Sequence, residues 1–292
     1  MRTATKNKNK FVLTLMFTVI IILTLVVVVL VAALMKRPAE EIDPHEGQVY
    51  INDGFGMVWM TPLEGVDVNN ISQSDIVRYD GVPKYVGEGY ETLRGVDVSE
   101  HQYDIDWAAV AASGVDFAYI RLGYRGYTQG GLFEDAYFKA NIEGAKSNGI
   151  KVGVYFFSQA LDEKEAIDEA NFVLESLKDY PLSYPVIFDW EDIQADARTD
   201  GMDSVQLTKN ALAFCSAIEK AGYRAGVYFN QRFGYEEFDL ESLQDYVFWL
   251  AEYNETPSFS YHFQLWQYCN DGRVDGIHTD VDLNLAFLRA KH

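Results

Sequence analysis

The chain has 292 residues, with 44 acidic against 24 basic side chains and a formal net charge of −20 at pH 7. Six of the basic residues lie in residues 1–37, which contain no acid, so residues 38–292 carry 18 basic against 44 acidic side chains. Phosphate backbones and anionic lipid repel so acidic a surface, which excludes nucleic acid as a partner and a domain that lies flat on such a membrane.

The N-terminal part of the chain has the pattern of a membrane anchor. Residues 1–10 are basic, and residues 11–35 form an apolar run of 25 residues without a charge. At about 1.5 Å of rise per residue, a helix of this length crosses a hydrocarbon core of roughly 30 Å. A cleaved signal peptide is the alternative, but its apolar region is usually only about 7–15 residues long. The sequence therefore predicts a single-pass protein of the cell membrane, with a cytoplasmic basic tail (1–10), a transmembrane anchor (11–35) and an extracellular remainder.

Residues 36–92 have no pattern that predicts a function. They begin as a stalk rich in Pro and acidic residues and continue as short apolar pieces separated by Gly, Pro, Asn and Asp. Such pieces suit either the short strands of a small module or a linker that packs against the main domain. The sequence leaves both possibilities open.

Residues 93–292 have the alternation of an α/β domain. Near-continuous apolar runs alternate with helical patterns, which indicates a mainly parallel sheet covered by helices. Eight such runs predict a modified, irregular β/α barrel of the TIM type, with a doubly wound sheet as the alternative. The predicted strands are 95–99, 117–124, 151–157, 184–191, 224–230, 246–253, 263–269 and 280–284. The later runs follow one another closely, so the second half of the barrel is expected to be irregular.

Helical spacing and capping residues support this alternation. Apolar residues recur three and four positions apart over 166–177 and over 207–218, which predicts two amphipathic helices. Asp162, three residues before Glu165, is a capping-box pair for the first of them. Gly149 and Gly222 follow helical patterns directly before strands, as C-terminal capping residues do.

The run YPVIFDWED (184–192) brings acidic residues to the end of a predicted strand. Residues i and i+2 of a strand point to the same face, so Asp189 and Glu191 share a face and Trp190 points away. Asp192 has the parity of Trp190 and is therefore predicted to be a loop or capping residue. The same rule groups Asp282 with Asn284 on the last predicted strand.

Acids on three predicted strands are expected to meet at one end of the barrel. The C-terminal ends of the strands share one mouth, and the first and last strands are neighbours once the barrel closes. Asp97, Asp189, Glu191 and Asp282 are therefore predicted to converge, although each alone is more typical of a turn or cap. Crowded carboxyl groups raise one another's pKa, which yields a proton donor beside ionised groups, as glycosidic bond cleavage requires.

Aromatic residues at the same strand ends suit the faces of sugar rings. The candidate substrate-binding residues are Tyr155, Phe157, Tyr228, Trp249, Tyr253 and Trp266. Motifs for a nucleophilic serine, a phosphate loop, a zinc protease or a C-x-x-C pair do not occur, and neither a metal nor a cofactor is predicted. His101, two residues beyond the first strand, either lines the mouth or lies in a loop.

Six segments in order resemble the glycoside hydrolase family 25 lysozymes, the N-acetylmuramidases. They are RGVDVSEHQYDIDWAAVAASGVDFAYIRLGYRG, FKANIEGAKSNGIKVGVYFFS, YPVIFDWE, AGVYFN, FWLAEY and LWQYCNDGRVDGIHTDVDLN. The resemblance covers about residues 93–292, which it implies is a catalytic domain, and does not extend to residues 38–90. It implies a modified β/α barrel that cleaves the β-1,4 bond from N-acetylmuramic acid to N-acetylglucosamine in peptidoglycan.

The resemblance also implies roles for individual residues. Glu191 matches the general acid, and Asp189 matches the carboxylate that acts as nucleophile or orients the substrate acetamido group. Asp97 and Asp282 match the other two acids of the cleft, and retention of configuration is expected. Tyr155 matches a tyrosine that the family often follows with His, where this chain has Phe156. Because position 156 faces away from Tyr155, we expect loss of a polar contact there rather than loss of activity.

The main hypothesis is therefore a membrane-anchored peptidoglycan hydrolase that acts on glycan strands outside the cell. Two alternatives stay open at this stage. One is a non-catalytic wall-binding or scaffolding barrel, although all four acids are present. The other is a hydrolase of another acetamido-sugar polymer such as chitin, since Asp-x-Glu at a strand end also serves chitinases.

Overall fold

The computed structural model describes residues 2–35, 43–52, 56–193 and 195–290. These residues fall into two compact units, 1–47 and 48–292. The first unit contains helix α1 (Arg2–Met35), in which the stretch Phe11–Ala33 is long and apolar enough to cross a membrane. The hydroxyl groups of Thr18 and Thr24 donate to carbonyl oxygens one turn earlier, at 2.9 and 2.8 Å, so the apolar stretch satisfies its own polar groups. A signal sequence near the N-terminus can also meet this criterion of length and composition. Residues 36–42 of the predicted stalk lie outside the described residues.

The second unit begins with two short antiparallel hairpins. Their strands are β1 (Val49–Asn52) with β2 (Met57–Met60), and β3 (Ile76–Tyr79) with β4 (Val82–Tyr85). The segment packs against residues 252–263: the Leu63 N–H donates to Tyr261 Oη at 2.6 Å, and Arg78 pairs with Glu255 at 2.9 Å. Both possibilities that the sequence left open hold in part, because strands are present and they pack against the main domain.

Eight further strands close into a barrel, as predicted. They are β5 (Tyr90–Val98), β6 (Phe117–Arg125), β8 (Lys151–Phe157), β9 (Val186–Asp189), β10 (Ala225–Asn230), β11 (Val247–Ala251), β12 (Leu265–Gly272) and β13 (Val281–Arg289). A short strand, β7 (Leu132–Glu134), pairs antiparallel with the end of β6 outside the barrel. The alternative of an open doubly wound sheet is excluded because β5 pairs with β6 on one side and with β13 on the other.

The direction of the last strand corrects one expectation. Neighbouring strands from β5 through β12 run parallel, but β13 is antiparallel to both β12 and β5. Asp282 is therefore at the beginning of its strand rather than at the C-terminal end that the sequence analysis assumed. It still reaches the mouth, because the start of an antiparallel strand lies beside the C-terminal ends of its parallel neighbours.

Five helices accompany the barrel strands. They are α2 (Trp107–Ala112), α3 (Phe138–Ser147), α4 (Glu163–Ser176), α5 (Ser204–Lys220) and α6 (Leu240–Leu243), with a 3₁₀ turn at Glu100–Gln102 and a π-helical turn at Phe233–Glu237. The two predicted amphipathic helices are α4 and α5, and the Asp162 carboxylate accepts from the Glu165 N–H at 2.9 Å. Gly149 and Gly222 have φ of +79° and +91°, as predicted for C-terminal capping residues. No helix stands between β11 and β12 in the described chain, which confirms the irregular second half.

The side chains inside the barrel form a plug between its two ends. Alternate residues of the strands point inward and pack into one cluster, whose buried members are Phe117, Tyr119, Ile187, Tyr228, Trp249, Ala251, Leu265 and Ala286. A larger cluster fills the space between the barrel and its helices. Because the plug is solid, polar residues that point inward collect above it, at the mouth.

Candidate active site

The structure brings the four predicted acids together around one cavity at the mouth of the barrel. Asp97 is on β5, Asp189 ends β9, Glu191 follows two residues later, and Asp282 is near the start of β13. All four line a cavity of about 590 Å³. Asp97 and Asp282 are directly opposite each other in the antiparallel β5–β13 pair. Strand parity and barrel closure thus produce the predicted convergence.

Two amide side chains bind Asp97, which is 5% exposed. Its Oδ2 accepts from Asn284 Nδ2 at 2.7 Å and from Gln267 Nε2 at 2.9 Å. The orientation of Asn284 is fixed because its Oδ1 accepts from the indole N–H of Trp249 at 2.8 Å, and an indole can only donate. Tyr228 donates its hydroxyl to Gln267 Oε1 at 2.9 Å, which turns the amide nitrogen of Gln267 toward Asp97. The amides therefore present donors to Asp97 and favour its ionised form.

Asp97 and Asp282 interact as a pair that shares one proton. Burial is the main cause that raises the pKa of Asp97, and its hydrogen bonds to Asn284, Gln267 and Asp282 act against that rise. Burial, the negative charge of Asp97 and donation of a hydrogen bond to Asp97 raise the pKa of Asp282 to about 9. At neutral pH the proton is therefore on Asp282, which donates it to the Asp97 carboxylate.

Asp189 is the most isolated of the four carboxyl groups. It is 7% exposed, and its Oδ1 is buried without a hydrogen-bond partner among the described residues. Burial raises the pKa of Asp189 well above its ordinary value, and Glu191, Asp97 and Asp282 raise it further whenever they are ionised. The guanidinium of Arg121 opposes this rise. A buried carboxyl oxygen without a partner, facing a cavity, is available to a ligand.

Glu191 lies just beyond β9 in the loop that follows, and its side chain is open to the cavity. Partial loss of water in the cleft raises the pKa of Glu191, the hydroxyl of Tyr228 lowers it, and the charges of Asp97 and Asp192 raise it. The backbone of Glu191 is held in place by a hydrogen bond, because Gln159 Nε2 donates to the Glu191 carbonyl oxygen at 3.3 Å. An accessible carboxyl group with a raised pKa has the properties of a general acid.

Five of the six predicted aromatic residues line the cavity, namely Tyr155, Phe157, Tyr228, Trp249 and Tyr253. Tyr253 is 51% exposed, whereas Trp249 is 2% exposed and is itself part of the barrel plug, so they offer very different areas to a ligand. The expected placement of Trp266 at the mouth is wrong. Trp266 is fully buried, and its indole donates to the Glu252 carbonyl oxygen at 2.7 Å. Its parity on β12 is opposite to that of Gln267, so it points out of the barrel.

Sequence reasoning missed several polar residues of the cavity. Gln267 interrupts an apolar strand at an inward-facing position, which is a signal that could have been used. Strand parity groups Asn284 with Asp282 but indicates no role for it. Arg121 also lines the cavity and is held by Asp135 at 2.8 Å and Glu100 at 3.0 Å. His101, for which two placements were open, lines the mouth.

Three neighbours of the site lie where parity placed them. Trp190 is buried and packs edge-on against Phe233, with ring centroids 5.4 Å apart. Asp192 is exposed and pairs with Arg232 at 2.8 Å, so it is a loop acid. Phe156 is fully buried on the outer face of β8, away from Tyr155. The departure from the Tyr-His-Phe pattern thus falls outside the cavity.

The fold and the site together define a class of protein. An eight-stranded β/α barrel with carboxyl groups in different protonation states and aromatic rings at its mouth is the arrangement of a glycoside hydrolase. Within residues 2–35, 43–52, 56–193 and 195–290, no group of three or more His, Cys, Asp or Glu side chains is arranged to hold a metal ion. The sequence pattern of glycosyl hydrolases family 25 matches residues 96–277, and the chain belongs to this family.

Similar proteins agree with this membership. The chain is 28% identical over 193 residues to an autolytic lysozyme of Clostridium acetobutylicum, across 66% of this chain and 55% of that protein. It is also similar to the modular autolysin LytC of Streptococcus pneumoniae, with a TM-score of 0.61 and 26% identity over 83% of this chain and 57% of that one. The same autolysin has been solved in complex with a synthetic peptidoglycan ligand. The chain thus spans only a little more than half the length of these relatives. A family 25 glycosyl hydrolase from Bacillus anthracis shares the fold, with a TM-score of 0.57 and 24% identity over 68% of this chain and 89% of that one.

Proposed function

We propose that the protein is a peptidoglycan hydrolase, a muramidase that cleaves the β-1,4 bond between N-acetylmuramic acid and N-acetylglucosamine. The observation that carries the proposal is the set of four carboxyl groups in different environments around one cavity. Membership of family 25, the lysozyme relative and the peptidoglycan ligand of LytC support the substrate class. A non-catalytic barrel would not need to retain buried, electrostatically costly acids.

Glu191 acts as the general acid. Its raised pKa favours the protonated side chain, and its exposure to the cavity allows transfer of that proton to the leaving glycosidic oxygen. The loop position beyond β9 gives the side chain reach, and the hydrogen bond from Gln159 to its carbonyl oxygen limits the movement of the backbone. Protonation of the leaving group then precedes or accompanies cleavage of the bond.

Asp189 faces the anomeric centre, either as the nucleophile or as the group that orients the acetamido group for attack. In the free protein its burial and its acidic neighbours disfavour the charged form. The positive charge that develops on the sugar in the transition state favours that form. Asp189 therefore interacts with the transition state more strongly than with the ground state, which is the condition for rate acceleration.

The Asp97–Asp282 pair supplies one negative charge rather than two. Because Asp282 keeps its proton, the pair adds less repulsion to Asp189 than two carboxylates would. The Asp97 carboxylate still contributes a fixed negative potential at the mouth, which stabilises an oxocarbenium-like centre. Asn284 and Gln267 are positioning residues in this scheme, since their amide groups hold the Asp97 carboxylate in place.

The protein acts while anchored in the cell membrane through α1, with residues 1–10 in the cytoplasm and the barrel outside. The apolar stretch Phe11–Ala33 and the basic residues before it support an uncleaved anchor. Mass spectrometry of the protein isolated from membranes tests this, because an intact N-terminal peptide is expected. Recovery of chains that begin after residue 35 would instead identify a cleaved signal sequence.

The substitution Glu191→Gln tests the catalytic assignment. We expect release of reducing ends from purified peptidoglycan to fall by roughly 100-fold or more, because the amide cannot donate the required proton. Glu219→Gln, an equally isosteric change on the exposed face of α5, is the matched control and should leave the rate unchanged. Near-wild-type activity of Glu191→Gln would refute the assignment.

The products of digestion test the substrate class. Mass spectrometry of the muropeptides is expected to find N-acetylmuramic acid at the new reducing ends, because the cleaved bond lies on the side of that sugar. Chitin oligomers, which lack the lactyl ether and peptide, serve as the comparison substrate. Equal turnover of chitin oligomers and peptidoglycan fragments would favour a general hydrolase of acetamido-sugar polymers.

A further inference from the structure

The base of the barrel contains a second cavity, at the opposite end of the strands from Asp97 and its partners. Its volume is about 840 Å³, larger than the cavity at the mouth. Lys151, Val247 and Leu265 are the first residues of β8, β11 and β12, and Arg224 directly precedes β10. The end of the antiparallel strand β13, residues 286–289, completes the lining. The two cavities share no lining residue.

The rim of the base cavity is positively charged, unlike the domain as a whole. Lys151, Arg224 and Arg289 are exposed around it, together with Glu91. None of the three cations takes part in an ion pair with another described residue. Residues 38–292 have 18 basic against 44 acidic side chains, so a local positive excess is not explained by general solubility. It indicates attraction of an anion.

Buried hydroxyl groups without partners lie beside this rim. Tyr184 lines the cavity, stacks on Phe117 with ring centroids 4.9 Å apart, and meets the ring of Tyr119 edge-on at 6.0 Å. The phenol oxygens of Tyr119 and Tyr184 are buried and have no hydrogen-bond partner among the described residues. Burial raises the pKa of Tyr184 to about 12 and the negative charge of Asp116 adds to this rise, while the charge of Arg224 acts in the opposite direction. The hydroxyl of Tyr184 is thus a protonated donor that lacks an acceptor, close to a guanidinium.

The floor and wall of the base cavity are apolar. Pro185, Val247, Leu265, Ala286, Phe287 and Leu288 supply them. Inorganic phosphate would use only the cationic rim, and a neutral apolar molecule would use only the floor. The combination suits an amphipathic anion whose charged head stays at the rim while its apolar part lies on the floor.

We propose that the base cavity binds an anionic phospholipid, with the phosphate held by Arg224, Lys151 and the hydroxyl of Tyr184. The first methylene groups of the acyl chains would lie against Val247 and Leu288, the more accessible apolar residues of the lining. The apolar helix α1 in the same chain raises the local concentration of such lipid if it is inserted in a bilayer. Acidic surface elsewhere on the domain is repelled by anionic lipid, so the contact is directed to the base. Lipid bound at the base leaves the mouth of the barrel open to glycan.

Calorimetric titration of the full-length protein in neutral detergent micelles tests the proposal. The probe is dihexanoylphosphatidylglycerol, with dihexanoylphosphatidylcholine and inorganic phosphate as comparisons. We expect saturable binding of the first probe, at least about 10-fold tighter than binding of either comparison. Equal binding of the choline lipid would show that charge is not recognised, and equal binding of phosphate would show that the apolar floor is not used. Either result, or no binding at all, overturns the proposal.

Variants connect the binding to the named residues. Arg224→Gln combined with Lys151→Gln is expected to weaken binding of the phosphatidylglycerol by about 10-fold or more. Tyr184→Phe is expected to weaken it by a few-fold. Lys164→Gln, an equally conservative change at an exposed lysine on α4, is the matched control. Hydrolysis of peptidoglycan serves as the folding check, because none of these residues lines the mouth. Unchanged affinity of the double variant would assign the binding to another part of the chain. The result does not depend on the muramidase proposal, since activity and lipid binding are measured separately.

Discussion

Replacement of the protonated acid at the mouth, Asp282→Asn, should stabilise the folded protein in a pH-dependent way. The folded-state pKa of Asp282 is about 9, against an ordinary value of 3.8. Between these values the folded protein holds a proton that the unfolded chain releases. The stability of the wild type therefore falls as the pH rises through this window. Asparagine carries no such proton, and its amide can replace the acid as donor to Asp97.

The size of the effect follows from the same numbers. At pH 7 the unfolded side chain is about three pH units above its pKa, and each unit corresponds to about 1.4 kcal/mol. The upper limit is therefore about 4 kcal/mol. Because Asp282 is partly exposed and water can reach it, we expect about 2–4 kcal/mol. For a folded unit of this size, each kcal/mol changes Tm by about 2–4 °C, so the expected increase at pH 7 is on the order of 10 °C.

The difference in Tm between wild type and Asp282→Asn is measured by thermal unfolding from pH 4 to 9. Unfolding is followed by near-ultraviolet circular dichroism of the proteins in neutral detergent micelles. The increase in Tm should be near zero at pH 4 and grow with pH. Asp275→Asn, a change at an exposed acid outside the cavity, is the control and should shift Tm by the same small amount at every pH. An increase that does not vary with pH, or a loss of stability at pH 7, would refute the assignment of the proton to Asp282.

Four further outcomes test the rest of the site. Gln159→Leu should lower kcat by roughly 10-fold with little change in KM, because the Glu191 backbone loses its support; a change in KM alone would contradict this. Tyr253→Ala should raise KM severalfold, as expected for an exposed ring that contacts sugar. Trp266→Phe should instead lower the free energy of unfolding by about 1–2 kcal/mol and leave the kinetics unchanged. Nuclear magnetic resonance of the first product should find the β anomer, and an α anomer would exclude a retaining mechanism.

Period-two reasoning predicted much of the barrel and of the cavity. Each of the eight apolar runs contains or overlaps an observed strand, and the inward parity of Asp97, Asp189 and Asp282 is as expected. Applied to β12, the same rule places Trp266 outside the barrel, because the adjacent residue Gln267 points inward. The expectation that Trp266 lies at the mouth rested on its aromatic side chain and not on its parity. Parity was therefore a more reliable guide than chemical type to the side chains that reach the mouth. The catalytic roles of the acids stay predictions.

Other features depended on information that no local pattern contains. The reversed direction of β13 is decided by how the last strand completes the barrel between β12 and β5, so Asp282 reaches the mouth from the start of its strand. The placement of Glu191 beyond β9 depends on where the loop leaves the sheet. The hydrogen bond from Gln267 to Asp97 joins residues 170 positions apart in the sequence, which spacing alone cannot indicate.

The arrangement of donors and acids at the mouth explains how one site can contain four carboxyl groups without unfolding the barrel. Full ionisation of four crowded acids would cost far more than a domain can spare. Two amide donors stabilise one charge on Asp97, and burial together with that charge keeps the proton on Asp282. Asp189 is left without a protein partner for Oδ1, so its best partner is the cation that forms during the reaction. The stability that Asp282→Asn would recover is, on this reasoning, the cost of keeping Asp282 buried beside the Asp97 carboxylate.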